Sequence, residues 1–385
     1  MAVDIVPVEF PRDTMKFVKC WWPIYADDPQ WVPPLLMDRK DFFNPAKNPY
    51  FKHADIQGFM AFKDGKAVGT ITATVDHRLQ ETEDGKDVGT FGFHEFIDDD
   101  EVAGKLLDAA AKWLAERGMT DMQGPFNFSP NHEFGLLIDG FDTPPMLLNP
   151  HSRDYYGPVM DRVDMHKRKD WYAYWIDYKP EPPPIVTKIS ERLLKRHPEV
   201  SLRPINMANF DKEVDALYDI YNDAWSDNWG HVHMSEEEII RVAKDLKQIL
   251  DPNLVWMAEV DGEAVGVAVA LWDFNQVAKK MNGRIFPFGW WHFLTGKSKI
   301  DALRIYVLGI KKEYQHLPLG APLYARIWAE GAKRKPRGAE CSLILEDNHR
   351  MRGAIEKLGG EIYKTYRIYG RRLDGAPEPV ATTVE

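Results

Sequence analysis

Val307-Leu308-Gly309-Ile310-Lys311-Lys312-Glu313-Tyr314-Gln315-His316-Leu317-Pro318-Leu319-Gly320-Ala321-Pro322-Leu323-Tyr324 decides how the chain folds. It reads as a strand that passes through a short loop into a helix. Proline has no N–H and is tolerated in the first helical turn, so Pro322 marks a helix start. The backbone N–H groups left without an intrahelical acceptor then lie near Leu319, Gly320 and Ala321, with Gly320 permitting close approach. A helix N-terminus of this kind attracts phosphate, and Lys311, Lys312 and His316 add positive charge nearby.

Working outward, the flanking segments predict a mixed sheet with crossing helices. Upstream, 211–223 and 235–250 carry helical periodicity, the second opened by the capping box Ser235-Glu236-Glu237-Glu238. Leu254 to Val260 and Ala264 to Trp272 alternate around Asp261-Gly262, a hairpin signal. Downstream come a strand from Cys341 to Leu345, a helix from His349 to Leu358 and a last strand from Glu361 to Tyr369. The first half shows the same order of signals. A hairpin (58–63 and 67–75) turns at Asp64-Gly65, a strand surrounds Gly89 to Phe96, and a helix runs from Val102 to Glu116 with Asp99 or Asp100 as cap and Gly118 as stop. Two copies of one fold explain this economically. The seam between them is 177–185, where four prolines in nine residues exclude helix or central strand. The expected division is residues 1–178, a linker at 179–185, a second domain at 186–373 and a disordered tail at 374–385.

Gln315 and Gly320 resemble the Q/R-x-x-G-x-G/A pyrophosphate loop of the GNAT acyltransferase family, with Pro318 in place of the first glycine. Leu345-Glu346-Asp347-Asn348, then Met351 through Gly360, is similar to that family's strand, Asn, helix and "klGF" ending, in the right order and at the right spacing. The resemblance implies an α/β fold (an α+β mixed sheet) of two tandem GNAT-like acyl-CoA acyltransferase domains. It implies acyl-CoA as substrate, Asn348 and the turn at Gln315, Leu319, Gly320 and Ala321 as CoA contacts, and strand N–H groups near Leu308 or Ile310 against the thioester oxygen. The sequence departs from the family at Ile355, where many members carry a tyrosine that protonates the departing thiolate. In the first half, Ile97-Asp98-Asp99-Asp100-Glu101 stands where phosphates would dock, and its four carboxylates would repel pyrophosphate. Only the second half is expected to bind CoA. Trp31-Val32-Pro33-Pro34-Leu35, Gly124 through Phe128 and Gly135 through Pro145 resemble the bacterial ceramide synthase group, which implies a long-chain sphingoid base as the amine.

Composition narrows the alternatives. A net charge of -10 disfavours nucleic acid, whose binding depends on clustered Lys and Arg. Two cysteines, Cys20 and Cys341, cannot build a disulfide framework. Met1-Ala2-Val3-Asp4 shows no signal-peptide pattern and no stretch approaches a membrane span, so a cytoplasmic protein is expected. Thr295-Gly296-Lys297-Ser298 lacks the glycine of a P-loop, Trp291 standing in its place. There is no G-x-S-x-G elbow, and His231-Val232-His233 lacks a third ligand at supporting spacing, so no metal is expected.

For the amine side, polar residues inside apolar runs are the candidates. His132 and Glu133 in Asn131 to Gly135, and Asp273 at the mouth of the hairpin, are candidate bases, and His132 has the near-neutral intrinsic pKa that suits the task. Each also has an ordinary reading as a loop cap or a satisfied core polar group. Tyr155, Tyr156 and Trp229 count as pocket lining at most. The connection between Asp273 and Ala302 is far longer than a hairpin needs. Its centre, 285–294, is half aromatic and flanked by Lys279, Lys280, Arg284, Lys297 and Lys299. That composition suits peripheral contact with an anionic membrane or a lid over an acyl chain, and equally a buried arm on the sheet. Two other functions stay open: an acetyl-CoA enzyme for a small polar amine, and a non-catalytic module that binds CoA or lipid.

Overall fold

A computed structural model describes residues 2–375, and the tail expected at 374–385 falls outside the described residues from 376 onward. The strands are β1 (Val3–Val8), β2 (Ala54–Lys63), β3 (Lys66–Asp76), β4 (Val88–Phe96), β5 (Asp121–Gly124), β6 (Leu136–Asp139), β7 (His166–Asp177), β8 (Val200–Pro204), β9 (Val255–Val260), β10 (Glu263–Trp272), β11 (Ala302–Ile310), β12 (Gly338–Leu345) and β13 (Glu361–Arg372). They form one sheet in the order β1-β2-β3-β4-β5-β13-β7-β12-β11-β10-β9-β8, with β6 paired to β13.

The two Asp-Gly hairpins form for the expected reason. Asp64 and Gly65 have φ of 53° and 75°, Asp261 and Gly262 have 51° and 83°. Positive φ at both central residues matches the turn to the twist of the strands. In each lobe the helix that crosses between the two parallel strands covers one face of the sheet. In the first lobe this is Asp100–Ala115, whose Val102, Leu106, Leu107, Ala110 and Leu114 follow helical spacing and are fully buried.

The sheet does not divide where the sequence does. The Pro-rich seam lies between β7 and the helix Pro184–Arg196, yet β7, the last strand of the first half, pairs with β12 of the second. Conversely β13, the last strand of the second half, pairs with β5 of the first. β7 and β13 also pair with each other along their length. Each half therefore completes the other's sheet, an exchange that local periodicity does not encode.

A buried charge cluster also ties the lobes. His53 Nδ1 is 3.0 Å from Asp76 Oδ1, and its Nε2 is 3.3 Å from Glu238 Oε2 in an ion pair rather than a hydrogen bond. Glu238 sits in the helix Glu236–Lys247 as the N3 residue of the Ser235 capping box. Burial opposes the His53 charge, but Asp76 and Glu238 outweigh it and raise the pKa to about 9. A raised histidine pKa gives stability that is complete below the unfolded value near 6.5 and is lost as pH climbs through about 9. The melting temperature is therefore expected to fall between pH 7 and 9.5, and to fall less in His53→Gln, as followed by circular dichroism.

Candidate active site

β11 and β12 run parallel and pair at four positions, from Ala302 with Gly338 to Ile305 with Cys341. Beyond that point β11 stays on β10 and β12 stays on β7, so the two strands part and leave a fork. A bulge helps to turn β11 away, since Val269 faces Val307 while Ala270 faces Ile305 and Tyr306 is left over. The bond from Lys311 N to Val265 O (2.8 Å) sets the phase of the ladder. In that phase Leu308 and Ile310 occupy positions that do not hydrogen-bond to β10, and their N–H groups turn into the fork. The fork is braced at its base by buried polar groups. Asn149 Nδ2 donates to Glu340 Oε1 (2.8 Å), and Arg304 Nε donates to Ser342 Oγ (3.1 Å).

At the outer end, Gln315 Nε2 donates to Ile310 O (3.2 Å) and Arg350 donates to Gln315 O (2.9 Å). Of the three donors expected at the turn, two are engaged within it: Leu319 N bonds Leu317 O (2.8 Å) and Ala321 N bonds Pro318 O (3.2 Å). The N–H of Gly320 has no backbone acceptor among the described residues. A Cβ at Gly320 would meet only Leu308 Cδ2, at 3.7 Å, so the approach is open. The positive charge expected from two lysines is offset, because Lys311 pairs with Glu263 (2.8 Å) and Lys312 with Asp227 (2.5 Å). Arg350, passed over in the sequence, is the exposed cation that lies against the loop.

Leu308 and Asn348 form opposite walls of a cavity of about 1460 Å³ between the lobes. Asn348 caps the helix His349–Lys357, its Oδ1 accepting from Met351 N (3.0 Å). Gln315, Leu319, Gly320, Ala321 and Ile310 lie outside the cavity wall, joined to it by Leu308 and by Tyr324, one turn beyond Gly320 on the same helix. Ile355 is 1% exposed and packs in the core, so it does not face the site. Three tyrosines, Tyr221, Tyr306 and Tyr324, do line the cavity.

The first lobe has a matching fork, and its own chain fills it. β4 and β5 pair only from Val88 with Asp121 to Thr90 with Gln123. Past that point Phe126 N donates to Phe91 O (2.7 Å) and Phe93 N donates to Asn127 Oδ1 (2.8 Å). The closure is tight enough that a Cβ on Gly92 would fall 1.8 Å from Phe126 O. The facing helix start is closed too, with Asp99 Oδ1 accepting from Glu101 N and Val102 N.

The candidate bases separate in space. His132 lines the cavity with Nδ1 3.0 Å from Ser129 Oγ, and burial lowers its pKa to about 4. Glu133 lines it as well, but both oxygens accept from Arg39 Nη2 at 2.7 Å. Asp273 is 2% exposed and forms no part of the wall; its Oδ1 accepts from Leu147 N (3.0 Å) and Asn275 N (3.3 Å), and burial raises its pKa to about 7. Trp229 lines the cavity, whereas Tyr155 and Tyr156 stand behind it. A wall residue the sequence reading missed is Glu95, in the run Phe91-Gly92-Phe93-His94-Glu95-Phe96. The rule that selects His132, a polar residue in an apolar run, selects Glu95 when it is applied to β4.

The long connection after β10 folds into helices Asn275–Met281 and Gly289–Gly296. Val277, Ala278, Met281, Ile285, Trp290 and Phe293 line the cavity from it, while Phe286, Phe288, Trp291 and Leu294 are 77%, 74%, 56% and 65% exposed. It docks on the first lobe, with Leu36 N donating to Gly283 O (3.0 Å) and Trp22 Nε1 to Asn282 Oδ1 (2.9 Å). One segment thus presents a covered face and an exposed one. No helix among the described residues is long and apolar enough to cross a membrane.

The chain is 39% identical over 381 residues to a bacterial ceramide synthase of Caulobacter vibrioides (strain NA1000 / CB15N), across 96% of this chain and 98% of that protein. It belongs to the bacterial ceramide synthase family. A second relative, protein YghO of Escherichia coli (strain K12), is 35% identical over 370 residues, across 94% of this chain and 93% of the relative. No family model matches the sequence. A tandem GNAT protein from the clavulanic acid biosynthesis pathway shares the fold with a TM-score of 0.57 at 12% identity, across 98% of this chain and 100% of that one. A GCN5-related N-acetyltransferase from Sphaerobacter thermophilus does so with a TM-score of 0.52 at 11% identity, across 97% and 98%. The expected tandem GNAT fold is thereby borne out, and by family the chain is an acyltransferase.

The Arg39–Glu133 pair gives a direct test of how the wall is held. Arg39→Met leaves a half-buried carboxylate without its cation, and the expected loss of stability in urea unfolding is about 1–3 kcal/mol.

Proposed function

We propose that the protein transfers a long acyl chain from acyl-CoA to the amine of a long-chain sphingoid base, giving a ceramide-type amide. The observation that carries this reading is that Leu308, Val277, Met281 and Phe293 all line the cavity and belong to or pack on one hydrophobic cluster. Pockets for drug-sized ligands run to ~300–1,000 Å³; about 1460 Å³ suits two long chains better than acetyl-CoA and a small polar amine. The name of the Caulobacter relative points to the same chemistry.

In this reading the diphosphate meets the Gly320 N–H and Arg350 at the mouth, and the pantetheine arm lies in the fork between β11 and β12. The thioester oxygen takes a hydrogen bond from the N–H of Leu308 or Ile310, which stabilises the negative charge as the tetrahedral intermediate forms. Asn348 lies on the opposite wall, against the arm. Holding amine and thioester together in the cavity supplies much of the acceleration, through orientation. The exposed Phe286, Phe288, Trp291 and Leu294, with exposed Lys280, Arg284, Lys297 and Lys299 around them, dock on an anionic membrane, where both lipid substrates are concentrated.

Three outcomes test this. Palmitoyl-CoA and sphinganine with the purified protein are expected to yield free CoA and the amide, measured by thiol release and mass spectrometry; a preference for acetyl-CoA with small polar amines would overturn the reading. Gly320→Glu is expected to abolish CoA binding by calorimetry, whereas Asp99→Ala leaves it intact and costs a helix cap, about 0.5–2 kcal/mol, together with the ion pair to Lys63. Vesicles containing phosphatidylglycerol are expected to sediment the protein, and the triple change Phe286→Ser, Phe288→Ser, Trp291→Ser to leave it in the supernatant.

A further inference from the structure

Glu95 stands on the cavity wall within the lobe whose own fork is filled. Its Oε2 accepts from Tyr25 Oη (2.7 Å) and from Tyr156 Oη (2.8 Å), and no cation bonds it directly. Its other oxygen, Oε1, has no hydrogen-bond partner among the described residues and is not sealed away from solvent. A half-buried carboxylate held by neutral hydroxyls is a poor device for stability, since glutamine or a hydrophobe would fill the position without desolvating a charge. Trp31, stacked on Tyr25 with ring centroids 4.9 Å apart, also lines the cavity, and aromatic faces attract an ammonium group.

We infer that Glu95 is the base that accepts a proton from the ammonium group of the incoming amine, with Tyr25 and Tyr156 as the positioning residues that hold its carboxylate. The inference rests on the N-acyltransfer reading above. A long-chain amine arrives as R–NH3+ and is not nucleophilic until it loses a proton. Glu95 takes that proton, and the free amine attacks the thioester carbonyl, forming the N–C bond. The C–S bond then breaks as the second nitrogen proton leaves with the thiolate, giving the amide and CoA–SH. Glu95 returns its proton to water, so the balance is one ammonium and one thioester to one amide, one thiol and one proton.

His151, whose Nε2 is 2.8 Å from Asp28 Oδ2, lines the cavity beside Tyr25, and the carboxylate that Tyr25 and Tyr156 hold is Glu95. Burial pushes its pKa up to about 7, with the tyrosine hydrogen bonds pulling down and Glu133 pushing further up. Burial also holds Tyr25, Tyr155 and Tyr156 above the usual tyrosine range and raises Cys20 to about 12. Arg39 and Glu133 are paired with each other.

The test is the pH profile of kcat/KM with palmitoyl-CoA and sphinganine. Wild type is expected to gain activity with pH through an apparent pKa near 7. Glu95→Gln is expected to lower kcat by about 100-fold or more and to lose that limb, with little change in CoA binding. Tyr25→Phe removes a hydrogen bond to the carboxylate and is expected to move the limb to higher pH, which keeps the proposal testable should Glu95→Gln not fold. A Glu95→Gln enzyme within threefold of wild type with an unaltered profile would overturn the role of Glu95 alone. A wild type that forms no amide would overturn the functional reading and this inference together.

Discussion

The parting of β11 and β12 after Ile305 and Cys341 is the constraint on which the rest of the site depends. Parallel strands that stop pairing expose backbone donors and acceptors that must find another partner. In the second lobe those groups face a cavity; in the first lobe the equivalent fork is closed by Phe126 and Asn127. The same local geometry therefore yields an open site in one copy and a wall in the other. The open copy is kept from collapsing by the buried polar brace at its base, where Glu340 is fully buried among Asn149, Ser342, Tyr363 and Arg304.

Because β7 and β13 cross between the halves, the two copies cannot shift independently, and the cavity between them has fixed walls. The filled lobe is more than a scaffold in this arrangement. It contributes Glu95, His132, Glu133 and the Arg39 that pairs with Glu133, while the second lobe contributes Leu308 and Asn348. The inserted helices close a further side by docking on Trp22 and Leu36 of the first lobe. A single open lobe would lack Glu95, His132, Glu133 and Arg39 on its wall.

Much of the fold was legible because the signals were local. The Asp-Gly turns, the Ser235 capping box, Asp99 as a cap and Pro322 in a first helical turn act over a few residues, and each forms as read. The strand exchange was not legible, since β7 and β13 are ordinary strands whose partners lie almost 200 residues apart, as Tyr366 on Trp171 shows. The site was read unevenly for the same reason. Leu308 and Asn348 follow from the strand and helix that hold them, and both reach the cavity. Asp273 has the right residue type in the right kind of run, but its carboxylate turns to Leu147 and Asn275 instead. Lys311 and Lys312 look free in sequence and are paired with acids that the fold brings from elsewhere. The aromatic insertion, whose composition suits a membrane contact, a lid or a buried arm, has one face on the cavity and another exposed, a division its composition does not encode.

The most direct measurement of the central claim is the structure of the protein with a non-hydrolysable long-chain acyl-CoA analogue. The account predicts the pantetheine arm between β11 and β12, the diphosphate at Gly320 and the acyl chain in the cavity beneath the inserted helices. A nucleotide bound against β4 and β5 of the first lobe, or an acyl chain lying outside the cavity, would contradict it.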